Sequence, residues 1–284
     1  MSPELDVDAA LARLRAELAA HGNVVVAFSG GADSAFLAWM AHDVLGRERA
    51  LAATAVSPSL AGFEHDDCRR LAAEWGLHHV EVETFEMQNA AYRANDGDRC
   101  FHCKSALMDA LEPIARERDA VVVLGVNLDD LGDHRPGQVA ARERGARFPL
   151  VDAGFTKAAV REASRVLGLR TWDKPAAACL ASRLPYGTPV SLTTLASVEA
   201  AETALRALGF DELRVRHYRD TARIEVPLAR LADVVEQRVA VVDAVKAAGY
   251  RYVTLDLEGL RSGNLNAALR ITTGVGSGHD PRQT

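Results

Sequence analysis

The chain lacks an apolar run of the roughly 18–20 residues that a membrane-spanning helix requires. It also lacks a basic excess, because its formal net charge is −6 over 284 residues. Proteins that hold nucleic acid through its phosphates are usually basic. The first residues, Met1–Asp6, are acidic where a secretory signal would be basic. We therefore expect a cytoplasmic protein with neither a membrane partner nor a nucleic-acid partner.

Cysteine is scarce, with four residues in the chain. In a cytosolic protein of this size, four cysteines favour metal binding or catalysis over a disulfide framework. One of them, Cys68, shares a predicted helix face with Leu71, Ala72 and Trp75, so we expect it to fill the core. The hydrophobic share of 48% and charged share of 25% are ordinary for a globular protein of one or two domains.

Short apolar runs alternate with helical stretches in the first half of the chain. The predicted strands are Val24–Phe28, Leu51–Val56, His79–Val82 and Val121–Gly125. Helices are predicted at residues 6–20, 34–45, 64–75 and 104–117. This alternation indicates βαβ crossovers and a parallel sheet. Ligands of such sheets bind at the carboxyl ends of the strands.

A break rich in Pro and Gly at Pro185–Pro189 predicts a domain boundary. Beyond it we expect helices at 192–208 and 228–248 and strands at 213–217, 222–226 and 252–257. The sequence therefore predicts an α/β protein in three parts. They are a parallel-sheet domain over 1–185, a smaller α/β domain over 186–270 and a disordered tail over 271–284.

The segment Ser29–Ser34 (SGGADS), which we call the phosphate loop, joins the first predicted strand to a helix. Its glycines let the backbone approach an anion closely, and the free N–H groups at a helix start favour negative charge. It is neither a Walker loop nor a dinucleotide fingerprint. The predicted ligands of a nucleotide phosphate and its Mg²⁺ are Ser29, Gly30, Gly31, Asp33 and Ser34. A turn without a ligand is the alternative.

Two cysteines, Cys100 and Cys103, form a CxxC motif followed by Lys104 and a predicted helix. A helix N-terminus and a neighbouring cation both lower the pKa of a thiol, so we expect thiolates here. With Cys179 they make three candidate ligands, one fewer than a structural zinc site needs. Three thiolates suit a 4Fe–4S cluster with one open iron. A Cys100–Cys103 disulfide and simple packing are the alternatives.

Two arginines, Arg214 and Arg216, alternate with Val215 in a predicted strand, so their side chains share one face. Adjacent guanidinium groups can clamp a phosphate or a carboxylate, although a solvated strand face is the alternative. Arg183 and Arg261 are further candidates from loops. These arginines predict an anion site in the second half of the chain if the fold brings them together.

Several segments together resemble the LarE family, the sulfur transferases that build the nickel-pincer nucleotide cofactor of lactate racemase. They are SGGADS at 29–34, DRCFHCK at 98–104, GVNLDDLGDHRPG at 125–137, ACLASRLPYGTPV at 178–190, LRVRHYRDTARIEV at 213–226 and YVTLDLEGLRSGNLN at 252–266. The first resembles the signature of PP-loop enzymes, which hold the pyrophosphate of ATP. The resemblance covers most of the chain and implies a homo-oligomer with a C-terminal domain for substrate binding and oligomerisation.

The resemblance also implies a reaction. ATP adenylates a carboxylate of pyridinium-3,5-biscarboxylic acid mononucleotide, pyrophosphate leaves, and a sulfur nucleophile expels AMP to give a thiocarboxylate. Cys179 matches the sulfur-donating cysteine of the family. Because Cys100 and Cys103 accompany it, the chain looks like the three-cysteine form, in which a 4Fe–4S cluster delivers sulfide. In the single-cysteine form, the cysteine gives up its own sulfur and works once.

The remaining implied partners are ATP with Mg²⁺ at the phosphate loop, a small nucleotide substrate, and sulfide or another sulfur donor. The substrate ligands that the resemblance implies are Arg214, Arg216, Ser182, Arg183, Glu202 and Arg261. Three other functions share part of the pattern: a cluster-dependent tRNA thiolase, an amide-forming PP-loop synthetase, and a regulator that senses nucleotide or cluster. The acidic net charge argues against the first, and the paired cysteines are unnecessary for the second.

Overall fold

The computed structural model describes residues 7–132, 136–175 and 178–261. They form two compact units. The first contains the residues up to Arg93 together with Asp98–Leu180, and the second contains Ala94–Gly97 and the residues from Ala181 onward. The tail predicted over 271–284 lies outside the described residues, as do 133–135 and 262–266 of the LarE-like segments. Within the described ranges, no helix is long and apolar enough to cross a membrane.

The first unit is built on a parallel sheet of four strands, which confirms the predicted fold class. The strands are β1 (Val24–Ala27), β2 (Ala50–Val56), β3 (His78–Glu83) and β4 (Val121–Leu124), in the spatial order β3-β2-β1-β4. Val24 of β1 pairs with Ala50 on one side and with Val121 on the other. The chain order reverses beside β1, which is where doubly wound sheets bind their ligands.

Helices cover both faces of this sheet. They are α1 (Val7–His21), α2 (Ala32–Leu45), α3 (Gly62–Glu74), α4 (Ala90–Ala94), α5 (Arg99–Glu117), α6 (Pro136–Glu143), α7 (Pro149–Asp152) and α8 (Lys157–Val166), with short 3₁₀ turns at Glu86–Gln88 and Leu128–Gly132. Val24 and Val26 of β1 pack in one hydrophobic cluster and Val25 packs in another. This alternation explains why β1 reads as a continuous apolar run.

The second unit contains α9 (Leu192–Ala207), β5 (Arg214–Tyr218), β6 (Thr221–Glu225), α10 (Leu231–Glu236), α11 (Arg238–Ala247) and β7 (Tyr252–Leu255), with a 3₁₀ turn at Leu228–Arg230. Another 3₁₀ turn, Leu180–Arg183, begins at the last residue of the first unit. The sheet order is β5-β6-β7. The single helix predicted over 228–248 is wrong, because the chain breaks at Gln237 between α10 and α11. Val234 of α10 and Val241 and Val245 of α11 nevertheless pack in one hydrophobic cluster.

A four-residue excursion, Ala94–Gly97, joins the second unit although it lies between two helices of the first. Asn95 is fully buried there. Its side-chain amide donates to the carbonyl oxygens of Pro185 at 2.9 Å and Thr188 at 2.8 Å, and its own carbonyl accepts from the Gly187 amide at 3.1 Å. Asn95 has a φ of 60°, a left-handed conformation that asparagine tolerates. Asn95 therefore stabilises the Pro/Gly-rich segment Pro185–Pro189 through three hydrogen bonds.

Candidate active site

The phosphate loop connects β1 to α2, as predicted. Gly30 has a φ of 68°, which a residue with a Cβ adopts only under strain. The Ser34 hydroxyl accepts from the Ser29 amide at 3.2 Å and donates to the Gly31 carbonyl at 3.1 Å, so it shapes the loop from within. No side chain caps the start of α2 at Gly31. The first N–H groups of α2 thus remain available to an anion.

Gly125, directly after β4, packs against the first turn of α2. A Cβ at this position would lie 2.7 Å from the Ser34 amide nitrogen and 2.8 Å from the Asp33 carbonyl carbon. These are backbone atoms, so a side chain at 125 would displace the helix start. Cys68, which is fully buried as predicted, lies behind the loop, where its Sγ would meet a Cβ at Gly30 at 2.9 Å.

Asp33 has the donor chemistry that Mg²⁺ prefers. Its Oδ1 is shielded from solvent and has no hydrogen-bond partner among the described residues. Burial raises the pKa of the Asp33 carboxyl, and the charge of Asp130 raises it further, whereas Asn127, Lys157 and Arg161 lower it. A cation at Asp33 would relieve both the burial cost and the repulsion from Asp130. The residues present therefore fit the predicted Mg²⁺ site.

The three predicted sulfur-site cysteines lie near one another. Cys100 and Cys179 are exposed and Cys103 is half-buried. The pKa of the Cys103 thiol is raised to about 12, mainly by burial and then by the charges of Cys179, Glu86 and Cys100, against the lowering effect of Lys104. Both other thiols are therefore close enough to Cys103 for their charges to affect it. The predicted lowering of the thiol pKa is wrong for Cys103, because burial outweighs Lys104.

Cys179 is held at the same sheet edge as the phosphate loop. The amide of Leu180, the next residue, donates to the Ser59 carbonyl at 2.8 Å, and Ser59 follows the carboxyl end of β2. The Ser59 hydroxyl lies 2.6 Å from that of Tyr92. Burial, and then the charge of Cys179, raise the pKa of this phenol. Since β2 neighbours β1 in parallel, Cys179 and the loop share one edge.

Three thiols in this place have the donor type of an iron–sulfur site. Within 7–132, 136–175 and 178–261, however, no three His, Cys, Asp or Glu side chains converge closely enough to hold a metal ion. None of the four cysteines, all of them described, forms a disulfide. The three thiols thus have the donor type that a cluster requires, and they lie close enough to interact. Their side chains do not converge on one point as the ligands of a bound metal would.

Buried ion pairs position the predicted substrate arginines of the second unit. Glu202 is buried and accepts from Arg183 Nε at 2.8 Å and from the Val215 amide at 3.0 Å. Arg216 is also buried, and its Nη2 donates to Glu225 Oε2 at 2.8 Å. These carboxylates are saturated by their partners. Glu202 therefore holds the Arg183 side chain in a buried ion pair.

Arg214 differs from its neighbours because no carboxylate hydrogen-bonds to it within the described residues. Its Nη1 makes one long hydrogen bond, of 3.4 Å, to the Arg261 carbonyl. Burial, and then the guanidinium groups of Arg216 and Arg183, lower the pKa of Arg214. Arg216 also donates to the Ser182 carbonyl at 2.9 Å. The predicted residues thus gather into a positively charged cluster whose mutual repulsion an anion would relieve.

Comparison with known proteins adds independent evidence. A family model described as NAD synthase matches residues 8–122. The chain is 41% identical over 248 residues to the pyridinium-3,5-bisthiocarboxylic acid mononucleotide synthase of Lactiplantibacillus plantarum, covering 87% of this chain and 90% of that protein. The chain belongs to the LarE family. It is also 45% identical to an uncharacterized protein of Synechocystis, over 93% and 99% of the two chains. A further uncharacterized relative, from Methanocaldococcus jannaschii, is 25% identical over 84% and 91%.

Several residues of this LarE-family site were missed by the sequence analysis. They are Gly125, Asn127, Lys174, Tyr92 and Glu225. Two of them carried a usable signal, since Gly125 is the last residue of a predicted strand, and Glu225 lies opposite Arg214 in two strands that were both predicted. No sequence pattern indicated Lys174 or Tyr92, because their contacts join segments far apart in the sequence.

Proposed function

We propose that this LarE-family protein is an ATP-dependent sulfur transferase. It adenylates the carboxylates of pyridinium-3,5-biscarboxylic acid mononucleotide and converts them to thiocarboxylates for the nickel-pincer nucleotide. The main observation in support is the gathering of three thiols at the sheet edge that carries the phosphate loop. The similarity to a named synthase of the corresponding bisthiocarboxylic acid agrees with it. A homo-oligomer in the cytoplasm belongs to the same proposal.

In the first step, a carboxylate oxygen of the substrate attacks the α-phosphorus of ATP, and the bond to pyrophosphate breaks. The N–H groups at the start of α2 hold the departing pyrophosphate, where the helix dipole favours its charge. Asp33 would hold Mg²⁺, which would supply positive charge to balance the charge of the departing pyrophosphate. Adenylation is required because a carboxylate oxygen is a poor leaving group, whereas AMP is a good one.

In the second step, a sulfur nucleophile attacks the acyl carbon and the bond to AMP breaks. Cys179 is the residue that presents sulfur, and a second round treats the other carboxylate. In the sacrificial alternative, the Cys179 thiolate attacks and AMP leaves to give a thioester. The Cβ–Sγ bond then breaks as the Cα proton is lost, which yields the thiocarboxylate and dehydroalanine.

We propose further that Cys100, Cys103 and Cys179 hold a 4Fe–4S cluster. When bound, such a cluster would supply sulfide and permit repeated turnover. The number, type and proximity of the thiols support it. The three side chains would have to converge further than they do here. That requirement leaves the sacrificial route as the direct competitor.

Anaerobic purification followed by turnover tests both proposals. We expect iron, sulfide and a visible cluster spectrum, and, with MgATP, sulfide and substrate, pyrophosphate release and more than one thiocarboxylate per protein. A protein without cluster that becomes lighter by one H2S would show the sacrificial route. Absence of substrate-dependent pyrophosphate release would refute the sulfur transferase itself, and sulfur incorporation into tRNA by the pure protein would favour the tRNA thiolase.

Replacing Arg214 by methionine is expected to raise the KM for the nucleotide substrate roughly tenfold to a hundredfold with little change in kcat. Loss of charge-assisted hydrogen bonds to a phosphate has about this effect. The unfolding temperature should stay the same or rise, because burial, and then Arg216 and Arg183, disfavour the charged form of Arg214 more than Glu225 and Glu202 favour it. Steady-state kinetics and thermal unfolding measure the two effects.

The matched variant is Arg216→Met, which removes from the buried Glu225 the guanidinium that hydrogen-bonds to its Oε2. It should lose roughly 3–5 kcal/mol of unfolding free energy, as expected when one partner of a buried ion pair is removed. Equal destabilisation by the Arg214 and Arg216 variants would contradict the assignment of Arg214 to the ligand.

A further inference from the structure

One cation contacts the phosphate loop from the side of α3. The ammonium group of Lys174 donates to the Gly30 carbonyl at 3.0 Å, to Glu64 Oε2 at 2.7 Å and to Asp67 Oδ2 at 2.7 Å. These three bonds use all three N–H donors of a lysine. Arg161 in turn donates to the Lys174 carbonyl at 3.1 Å, which fixes the backbone from which the side chain extends.

The cluster around Lys174 is largely removed from solvent. The side chains of Lys174, Glu64 and Asp67 retain 17%, 11% and 12% of their exposure. Burial would lower the pKa of Lys174, but hydrogen bonds to Asp67 and Glu64 raise it above its usual value. Arg170 provides a second cation, with Nη2 at 2.9 Å from Asp67 Oδ1. Arg70 also pairs with Asp67, at 3.4 Å. Of these three cations, Lys174 is the one that hydrogen-bonds to the phosphate loop.

The contact with Gly30 matters because of its place in the loop. A carbonyl oxygen turned toward a phosphate would repel it, whereas amide groups attract it. Gly30 adopts a left-handed φ of 68°, and its carbonyl oxygen is engaged by Lys174. The hydrogen bond from Lys174 therefore keeps the Gly30 carbonyl oxygen away from a bound anion. The N–H groups at the start of α2 remain available to that anion.

We propose that Lys174 is a positioning residue for the pyrophosphate portion of ATP. By holding the Gly30 carbonyl, it keeps the phosphate loop in the conformation that presents N–H groups to the anion. The lysine itself touches the loop and not the ligand. This role rests on the proposed use of ATP by the phosphate loop, but it does not depend on which acceptor is adenylated.

The test separates loop positioning from charge balance. Lys174→Met leaves Glu64 and Asp67 without their shared cation, so it would lose both stability and ligand binding. The triple variant Lys174→Met, Glu64→Gln, Asp67→Asn removes these charges as well, so its unfolding temperature should return toward that of the wild type. Inorganic pyrophosphate and MgATP are titrated calorimetrically into each full-length protein. We expect both variants to bind at least roughly tenfold more weakly.

Arg170→Met is the matched control, since Arg170 pairs with Asp67 and Glu74 but does not reach the loop. It should bind both ligands within about twofold of the wild type. Wild-type affinity in the triple variant would overturn the proposal, and so would an equal loss in Arg170→Met. A wild type that binds pyrophosphate but forms no thiocarboxylate would refute the proposed function and leave this inference standing. A wild type that binds neither ligand would refute both.

Discussion

Replacing Cys179 by serine is expected to abolish thiocarboxylate formation, by at least roughly a thousandfold, while substrate-dependent pyrophosphate release continues. Serine keeps the size of the side chain and the Leu180–Ser59 hydrogen bond that holds this segment. It cannot supply sulfur or ligate iron as a thiolate does. Pyrophosphate release and product mass, measured on the same sample, separate adenylation from sulfur transfer.

Cysteine variants elsewhere serve as controls for this result. Cys68→Ala should retain sulfur transfer, because Cys68 is a fully buried packing residue. Cys100→Ser and Cys103→Ser should remove repeated turnover if a cluster delivers sulfide, but should leave one thiocarboxylate per protein if Cys179 is sacrificed. Continued thiocarboxylate production by Cys179→Ser would contradict both routes.

Gly125→Ala should lower the rate of ATP-dependent adenylation at least roughly a hundredfold, although the added group is a single methyl. Its Cβ would lie within 2.8 Å of backbone atoms of Asp33 and Ser34, and these atoms cannot rotate away as a side chain can. The start of α2 must move, together with the N–H groups and the Asp33 carboxylate that we assign to ATP and Mg²⁺. Displacements of about 1 Å can cost a hundredfold in rate. Initial rates of pyrophosphate release test this.

The control for Gly125→Ala is a variant that lowers the stability of the protein without displacing the start of α2. Leu111→Ala meets this need, because Leu111 is fully buried in the cluster on the α5 side of the sheet and its removal costs roughly 2–5 kcal/mol. At a temperature where both variants remain folded, Leu111→Ala should adenylate at nearly the wild-type rate. Equal rates for the two variants would show that Gly125 acts through stability alone.

The phosphate loop was predictable because its chemistry is contiguous. Ser29–Ser34 contains the glycines, the hydroxyls and the carboxylate within one strand-to-helix turn. The shared face of Arg214 and Arg216 was predictable as well, since side chains along a strand alternate with a period of two. The buried ion pair between Arg216 and Glu225 was not predicted, because the strength of an ion pair depends on burial that the sequence pattern does not express.

The features that escaped prediction arise from contacts between distant segments. Lys174 contacts Gly30 across 144 positions, and no local spacing indicates it. The pKa of Cys103 was predicted in the wrong direction because a helix start and a neighbouring lysine are visible in the sequence, whereas burial is not. The break at Gln237 escaped for a similar reason, since the apolar residues on both sides fit one continuous helical pattern.

Because Ala94–Gly97 belongs to the second unit, the chain cannot be cut at one point into its two units. A polypeptide beginning at Ala181 would contain the whole of the β5-β6-β7 sheet but would lack Asn95. The carbonyls of Pro185 and Thr188 would then lose the amide that serves them both. The residues from Ala181 onward therefore do not form a complete unit by themselves. Gene recombination that moved them alone would leave behind Ala94–Gly97, the segment that precedes the CxxC helix.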